Sequence, residues 1–184
     1  MDEGRRYGLH RWLYGHFGTD GSALYVSVTV LLSVSLSGLV AYLFGRPVTM
    51  LSLALTAALL ARWPMEESAR PRNTAIGHSV ALASGLLSLA LFGLVGGPGV
   101  SGAGFSPAHV GAGVLSTVLT GLLMVVTRAW HPPAGATAGL VGLGLLGTPR
   151  DLLALAAGVV VVTVCGWLLN RALGVPVPFW TTER

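Results

Sequence analysis

Residues 22–44 constrain this chain more than any other stretch, because they run for 23 positions without a charge. A helix needs about 20 mostly apolar residues to cross a hydrocarbon core of about 30 Å, and this run meets that length. The rest of the chain agrees: 53% of its residues are hydrophobic, 10% are charged, and the mean hydropathy is +0.72. Soluble domains carry about 25% charged residues. An integral membrane protein is expected, and 184 residues leave no room for a separate soluble enzyme domain. A basic nucleic-acid binder would need clustered Lys and Arg with accessible aromatics, and this chain contains no Lys.

Five further apolar runs follow. Residues 47–61 open on Pro47 and would rise roughly 22 Å as a helix, short for a span. Residues 73–95 and 108–127 are long and uncharged; residues 134–147 are short and Gly-rich; residues 152–170 form the last long run. The expected fold class is an all-α membrane protein, a helical bundle of four long and two short transmembrane helices. Residues 1–21 hold Arg5, Arg6 and Arg11, with Leu9, Trp12, Leu13 and Phe17 at helical spacing, and read as a basic interfacial segment. Residues 22–173 read as one transmembrane domain and residues 174–184 as a polar tail. The first apolar run is of spanning length, so it is not taken as a secretory signal. Asn73 is placed to cap the helix of the third run, residues 73–95, and Asp151 the last.

Ser33, Ser37 and Ala41 form one small-residue stripe, and Gly113, Thr117 and Gly121 another. Such faces allow close helix packing, either within one subunit or in a homo-oligomer. The single Cys165 excludes an intrachain disulfide and reads as a small apolar side chain.

Arginine placement orders the spans. If all six runs cross with the N-terminus inside, Arg5, Arg6, Arg11, Arg62, Arg70, Arg72, Arg128, Arg171 and Arg184 lie inside, and only Arg46 and Arg150 outside. Making both short runs re-entrant leaves five arginines inside and six outside, which erases the bias. The positive-inside rule therefore favours six crossings in the cell membrane, with both termini cytoplasmic and Trp12, Trp63 and Trp130 at the inner interface. The same order repeats: a long span, a Pro47-led short run, then Pro71-Arg72-Asn73 and a long span; a long span, a Pro132-led short run, then Pro149-Arg150-Asp151 and a long span. Thr49 follows Pro47 much as Thr137 follows the later prolines. Three crossings per half make the halves inverted, the 3+3 plan of many secondary transporters, whose sites lie where broken helices meet.

The second break carries the chemistry. His131-Pro132-Pro133 stops the fourth run, residues 108–127, because the residue before proline avoids helical geometry, and proline suits the start of a new helix. The N–H groups from Ala134 onward and the helix dipole then favour an anion, with Gly135 and Thr137 close by and His131 and Arg128 as added donors. Alternatively, His131 is a helix-stop residue bonded to a neighbouring loop. Arg72 and Asn73 supply a second polar cluster at the same end, with His78 one turn into the helix; Arg72 as an anchor and His78 as a packing histidine are the competing readings. His109 reads as an interface residue. No HExxH, CxxC, P-loop or GxSxG occurs, and no catalytic residue, metal or cofactor is expected. The lack of carboxylates within the spans argues against a cation or proton pump built on Asp or Glu.

The string His131-Pro132-Pro133-Ala134-Gly135-Ala136-Thr137-Ala138, with Pro71-Arg72-Asn73 and Gly77-His78, resembles the HPP family of integral membrane proteins over about residues 29–170. The family is described as having four membrane helices, and photosynthetic members are implicated in nitrite transport. The resemblance implies that His131, Pro132, Pro133, Gly135, Thr137, Arg72, Asn73 and His78 are the positions of interest. Some members carry a C-terminal regulatory CBS domain, which does not follow the last span here.

Two functions are expected to compete. One is a transporter or channel for a small inorganic anion, nitrite foremost, with lipid as its surroundings and no nucleic-acid partner. The other is a non-transporting assembly or sensor module whose polar break is structural, for which a dry, fully packed centre would speak.

Overall fold

The computed structural model describes residues 7–180. Arg5, Arg6 and Arg184 lie outside the described residues, as do the outer ends of the two terminal segments. The described chain forms seven α-helices: α1 (Gly8–Phe44), α2 (Thr49–Arg62), α3 (Pro71–Leu91), α4 (Val100–Ala103), α5 (Pro107–Val126), α6 (Ala134–Gly142) and α7 (Pro149–Ala172). A 3₁₀ turn, Glu67–Ala69, precedes α3, and no strand occurs among the described residues. Helices α1, α3, α5 and α7 are long and apolar enough to cross a membrane. The protein is thus a multi-pass helical membrane protein.

Proline and left-handed backbone set the helix boundaries. Pro71, Pro107 and Pro149 each stand at a helix start, where a missing N–H costs nothing. This moves the start of α3 ahead of Asn73, which is its third residue and not its cap; its amide donates to the Glu67 carbonyl instead (3.0 Å). Asp151 is likewise the third residue of α7 and not its N-cap, which is Thr148; the two side chains form a capping box. At the far end of α1, Gly45 has φ 66 and the Arg46 N–H returns to the Ala41 carbonyl, closing a Schellman turn. Helix α5 closes the same way, from Ala129 N–H to the Met124 carbonyl, but with Arg128 in the left-handed position (φ 51).

The two short runs differ. Helix α2 has 14 residues and α6 only nine, a rise of roughly 14 Å for the latter. The helical part of the 134–147 run is therefore shorter than its apolar length. Gly144, at φ 72, ends it, and residues 143–147 continue as irregular backbone, with Leu146 buried beside Leu53, Leu89 and Leu155.

Side-chain contacts give each helix its direction. Tyr25 near the start of the α1 span donates to Asn170 near the end of α7 (2.7 Å), and Asn170 donates to the Leu60 carbonyl near the end of α2 (3.1 Å). Arg46 beyond the other end of α1 pairs with Asp151 at the start of α7. So α1 runs against α2 and α7, while α2 and α7 run together. Gly77 lies against His131 and Gly85 against Val141, so α6 runs along α3. The Ser116 hydroxyl meets the Ala138 carbonyl (2.8 Å), and Gly142 packs on Ala112 and Gly113, so α5 runs against α6. Helix α1 packs on α2 and α7, α5 packs on α6 and α3, and α2 meets α6 in the middle. Ser33, Ser37 and Ala41 are buried in α1; Gly113 touches Leu143, whereas nothing approaches Gly121.

The terminal segments fold against the bundle. At Gly18 (φ 58, ψ −134) the helical path breaks, and residues 8–17 turn back so closely that Leu13 meets Gly21. Leu13 is buried with Tyr25, Val175 and Val177, and the Leu9 N–H donates to the Leu173 carbonyl. Trp12 and Phe17 remain exposed, as an interfacial segment requires. The tail expected to be polar contributes Val175 and Val177 to this cluster, held by the Trp167 indole N–H on the Val177 carbonyl (3.1 Å).

Candidate functional site

Five buried polar side chains meet where α2 crosses α6: Ser52 and Thr56 from α2, His78 from α3, His131 from the turn before α6, and Thr137 from α6. Each is 0–2% exposed. The packing that admits them is local. A β-carbon on Gly77 would lie 2.8 Å from the His131 β-carbon, so the absence of a side chain there makes room for the imidazole. The two rings stand 5.1 Å apart, tilted by 60°.

Hydrogen bonds link all five. Ser52 Oγ and Thr137 Oγ1 are 2.5 Å apart; Thr137 Oγ1 and His78 Nδ1, 2.8 Å; His78 Nε2 and Thr56 Oγ1, 3.0 Å; Thr56 Oγ1 and His131 Nε2, 3.3 Å; His131 Nδ1 and the Ser68 carbonyl, 2.8 Å. The carbonyl can only accept, so His131 Nδ1 carries a hydrogen. In the neutral ring Nε2 is then bare and takes the Thr56 hydroxyl hydrogen. Thr56 in turn accepts from His78 Nε2–H, leaving Nδ1 of His78 to accept from Thr137, which accepts from Ser52. The Thr56 hydroxyl also lies 3.4 Å from the Ser52 carbonyl. Among the described residues, no carboxylate or guanidinium bonds to this chain of groups. A fully satisfied network of this kind in an apolar surround fixes its members in place.

Three residues singled out in the sequence, His131, His78 and Thr137, thus come together. The others stand around them. Arg72 donates to Asn73 and to the Thr127 and Arg128 carbonyls (3.3 and 3.0 Å), so it neutralises the negative end of α5 and lies outside the central network. The Arg128 side chain is exposed. Pro133 is buried, Pro132 exposed and Gly135 half-buried. Thr49 is buried, but its hydroxyl serves the Arg46 carbonyl (2.8 Å) at the opposite end. The early N–H groups of α6, expected as free donors, are used within the turn: Ala134, Gly135 and Ala136 bond to the carbonyls of His131, Pro132 and Pro133.

Ser52, Thr56 and the Ser68 carbonyl escape the sequence reading. Ser52 and Thr56 are one helical turn apart, and that spacing is the one signal that puts both on one face of α2. A groove of about 400 Å³ lies elsewhere, lined by Tyr14, Ser22, Val26 and Arg62 where the N-terminal arm meets α1, and touches none of the five.

No curated protein and no solved structure matches this sequence. The family described as "HPP, transmembrane region" matches residues 19–178, which include every helix from the α1 span to the end of α7. On that coverage, which takes in both helix breaks and the buried histidine pair, the chain belongs to the HPP transmembrane family.

Proposed function

We propose that the protein is a transporter of a small inorganic anion, nitrite foremost, and that the crossing of α2 and α6 is its substrate site. The observation that carries this reading is the cluster itself. Two imidazoles and three hydroxyls, all buried and bonded to one another, sit at the meeting point of the two short helices that follow the two proline breaks. Polar groups at that depth are costly and mark solute pathways in membrane proteins. The packing supports a 3+3 inverted repeat: exchanging α1 with α5, α2 with α6 and α3 with α7 turns the set of packed helix pairs into itself. The alternating helix directions support six crossings, with both chain ends on the side of Arg62, Arg72 and Arg128. By the positive-inside rule that side is cytoplasmic, in the cell membrane. Arg72 and Arg128 would draw anions to this mouth, and His131 and Thr137, buried beneath it, would receive them when the network opens.

A second reading has one observation in its favour. The central polar groups satisfy one another, as those of a static assembly or sensor module would. In a transporter the same arrangement is a closed state, in which the groups bond to each other until solute replaces a partner. Purified protein in liposomes, loaded with nitrite on one side, decides between them. Uptake above that of protein-free vesicles is expected. Failure to move nitrite, nitrate, formate or chloride would leave the static module standing.

A further inference from the structure

We propose that the central network takes up a proton at His131 together with each anion, making the transport a proton–anion symport. This rests on the transport reading above and goes beyond it, because it assigns the co-transported ion and the group that carries it.

The geometry already holds both protonation states. In the neutral network the Thr56 hydroxyl donates to His131 Nε2 at 3.3 Å. If Nε2 binds a proton it becomes a donor, and the Thr56 hydrogen must leave. It has a destination, the Ser52 carbonyl at 3.4 Å. Rotation of that one hydroxyl lets Thr56 Oγ1 accept from His131 Nε2–H and from His78 Nε2–H at 3.0 Å. His131 Nδ1–H keeps its bond to the Ser68 carbonyl throughout. One N–H bond forms on uptake and the same bond breaks on release, with no other covalent change.

Among the described residues, no acidic side chain pairs with His131. The charged groups on the elements packed around His131 are few. Glu67 and Arg70 on the 3₁₀ turn face each other at 3.8 Å, and Glu67 is exposed. Arg72 on α3 is held by the α5 carbonyls, and Arg128 follows α5 at the surface. Arg62 on α2 lies over Trp63. Asp151 on α7 is paired with Arg46 at the opposite end of the bundle. Helix α6 carries no charge and turns the positive end of its dipole toward His131. An imidazolium here is therefore unfavourable alone, and an anion in the same site is unfavourable without it. Each raises the affinity for the other, and by linkage the effect is mutual.

The test uses the whole protein in liposomes with pyranine, a pH dye, in the lumen. A step of external nitrite is expected to acidify the lumen by a proton for each nitrite taken up, beyond the nitrous acid leak of protein-free vesicles. Clamping the membrane potential with potassium and valinomycin is expected to leave the rate unchanged. Thr56→Val is expected to lower the proton-to-nitrite ratio, whatever flux survives, and Thr56→Ser to restore it. The wild-type ratio alone keeps the proposal falsifiable if the valine variant does not fold. Protein-dependent nitrite uptake with no matching acidification overturns the coupling and leaves transport intact. No uptake of any small anion overturns both.

Discussion

The two helix breaks of this protein are built alike and finished differently. Each short helix opens with the same three turns of backbone: Thr49, Met50 and Leu51 N–H return to Arg46, Pro47 and Val48, as Ala134, Gly135 and Ala136 return to His131, Pro132 and Pro133. In that alignment Arg46 corresponds to His131 and Ser52 to Thr137, the two hydroxyls that touch. The partners diverge. Arg46 meets a carboxylate, Asp151, at 2.7 Å, and Asp151 is itself held by the N–H groups of Gly147 and Thr148 and the Thr148 hydroxyl. His131 meets the Ser68 carbonyl, which only accepts, and the Thr56 hydroxyl, which can either donate or accept. An ion pair fixes which group donates and which accepts, whereas the Thr56 hydroxyl has two acceptors in reach, His131 Nε2 at 3.3 Å and the Ser52 carbonyl at 3.4 Å. The first break is suited to hold, the second to change.

The sharpest way to break this contrast is steric. Ala at position 77 would press its β-carbon to 2.8 Å from that of His131, a rigid neighbour, whereas Ala at position 158 would meet only the flexible tip of Leu53. Gly77→Ala is expected to destabilise the protein by about 1–3 kcal/mol, as overpacking does, and to stop nitrite flux. Gly158→Ala is expected to do neither to a comparable degree. Thermal unfolding and flux of the two variants check this, and equal damage at both sites would erase the distinction.

The holding role is next. Asp151→Ala removes the carboxylate half of the α7 capping box, leaving the Thr148 N-cap, and strands Arg46, whose side chain is 37% exposed and so can still reach water. A loss of about 1–2 kcal/mol is expected, mostly from the cap, seen as a lower unfolding temperature, with nitrite flux per folded protein kept.

The smallest effect has the opposite sign. Arg128 occupies a left-handed position where Gly45 serves the equivalent turn of α1. Left-handed backbone costs a non-Gly residue about 1–2 kcal/mol, and such strain is retained where a side chain has a use. Arg128→Gly is expected to stabilise the protein by about 1 kcal/mol while reducing flux, the trade expected of a cationic mouth. A variant that gains stability with undiminished flux would show that the arginine serves only orientation.

The four long spans were legible because apolar length in a bilayer leaves few choices, and the breaks were legible because proline forbids continuation. His131, His78 and Thr137 were legible by exception, as polar residues at a break. Ser52 and Thr56 were not. Hydroxyl residues are common in membrane helices, and nothing in a linear string gives the register of α2 against α6. Thr49 drew attention by its distance from Pro47, but the shared backbone turn makes Ser52, three residues on, the counterpart of Thr137. The length of α6 was hidden for a related reason: residues 143–147 are as apolar as the helix before them, and only the backbone at Gly144 ends it. The fold-back at Gly18 likewise leaves no periodic trace.

The central claim is that the break carrying His131 works on solute while the break carrying Arg46, paired with Asp151, holds the fold. Nitrite flux into liposomes, measured for His131→Ala and Asp151→Ala at equal amounts of folded protein, tests it directly. The expected result is a loss of about a hundredfold for His131→Ala, or about 2.7 kcal/mol, beside near-normal flux for Asp151→Ala. Flux preserved in His131→Ala, or lost equally in both, would contradict it.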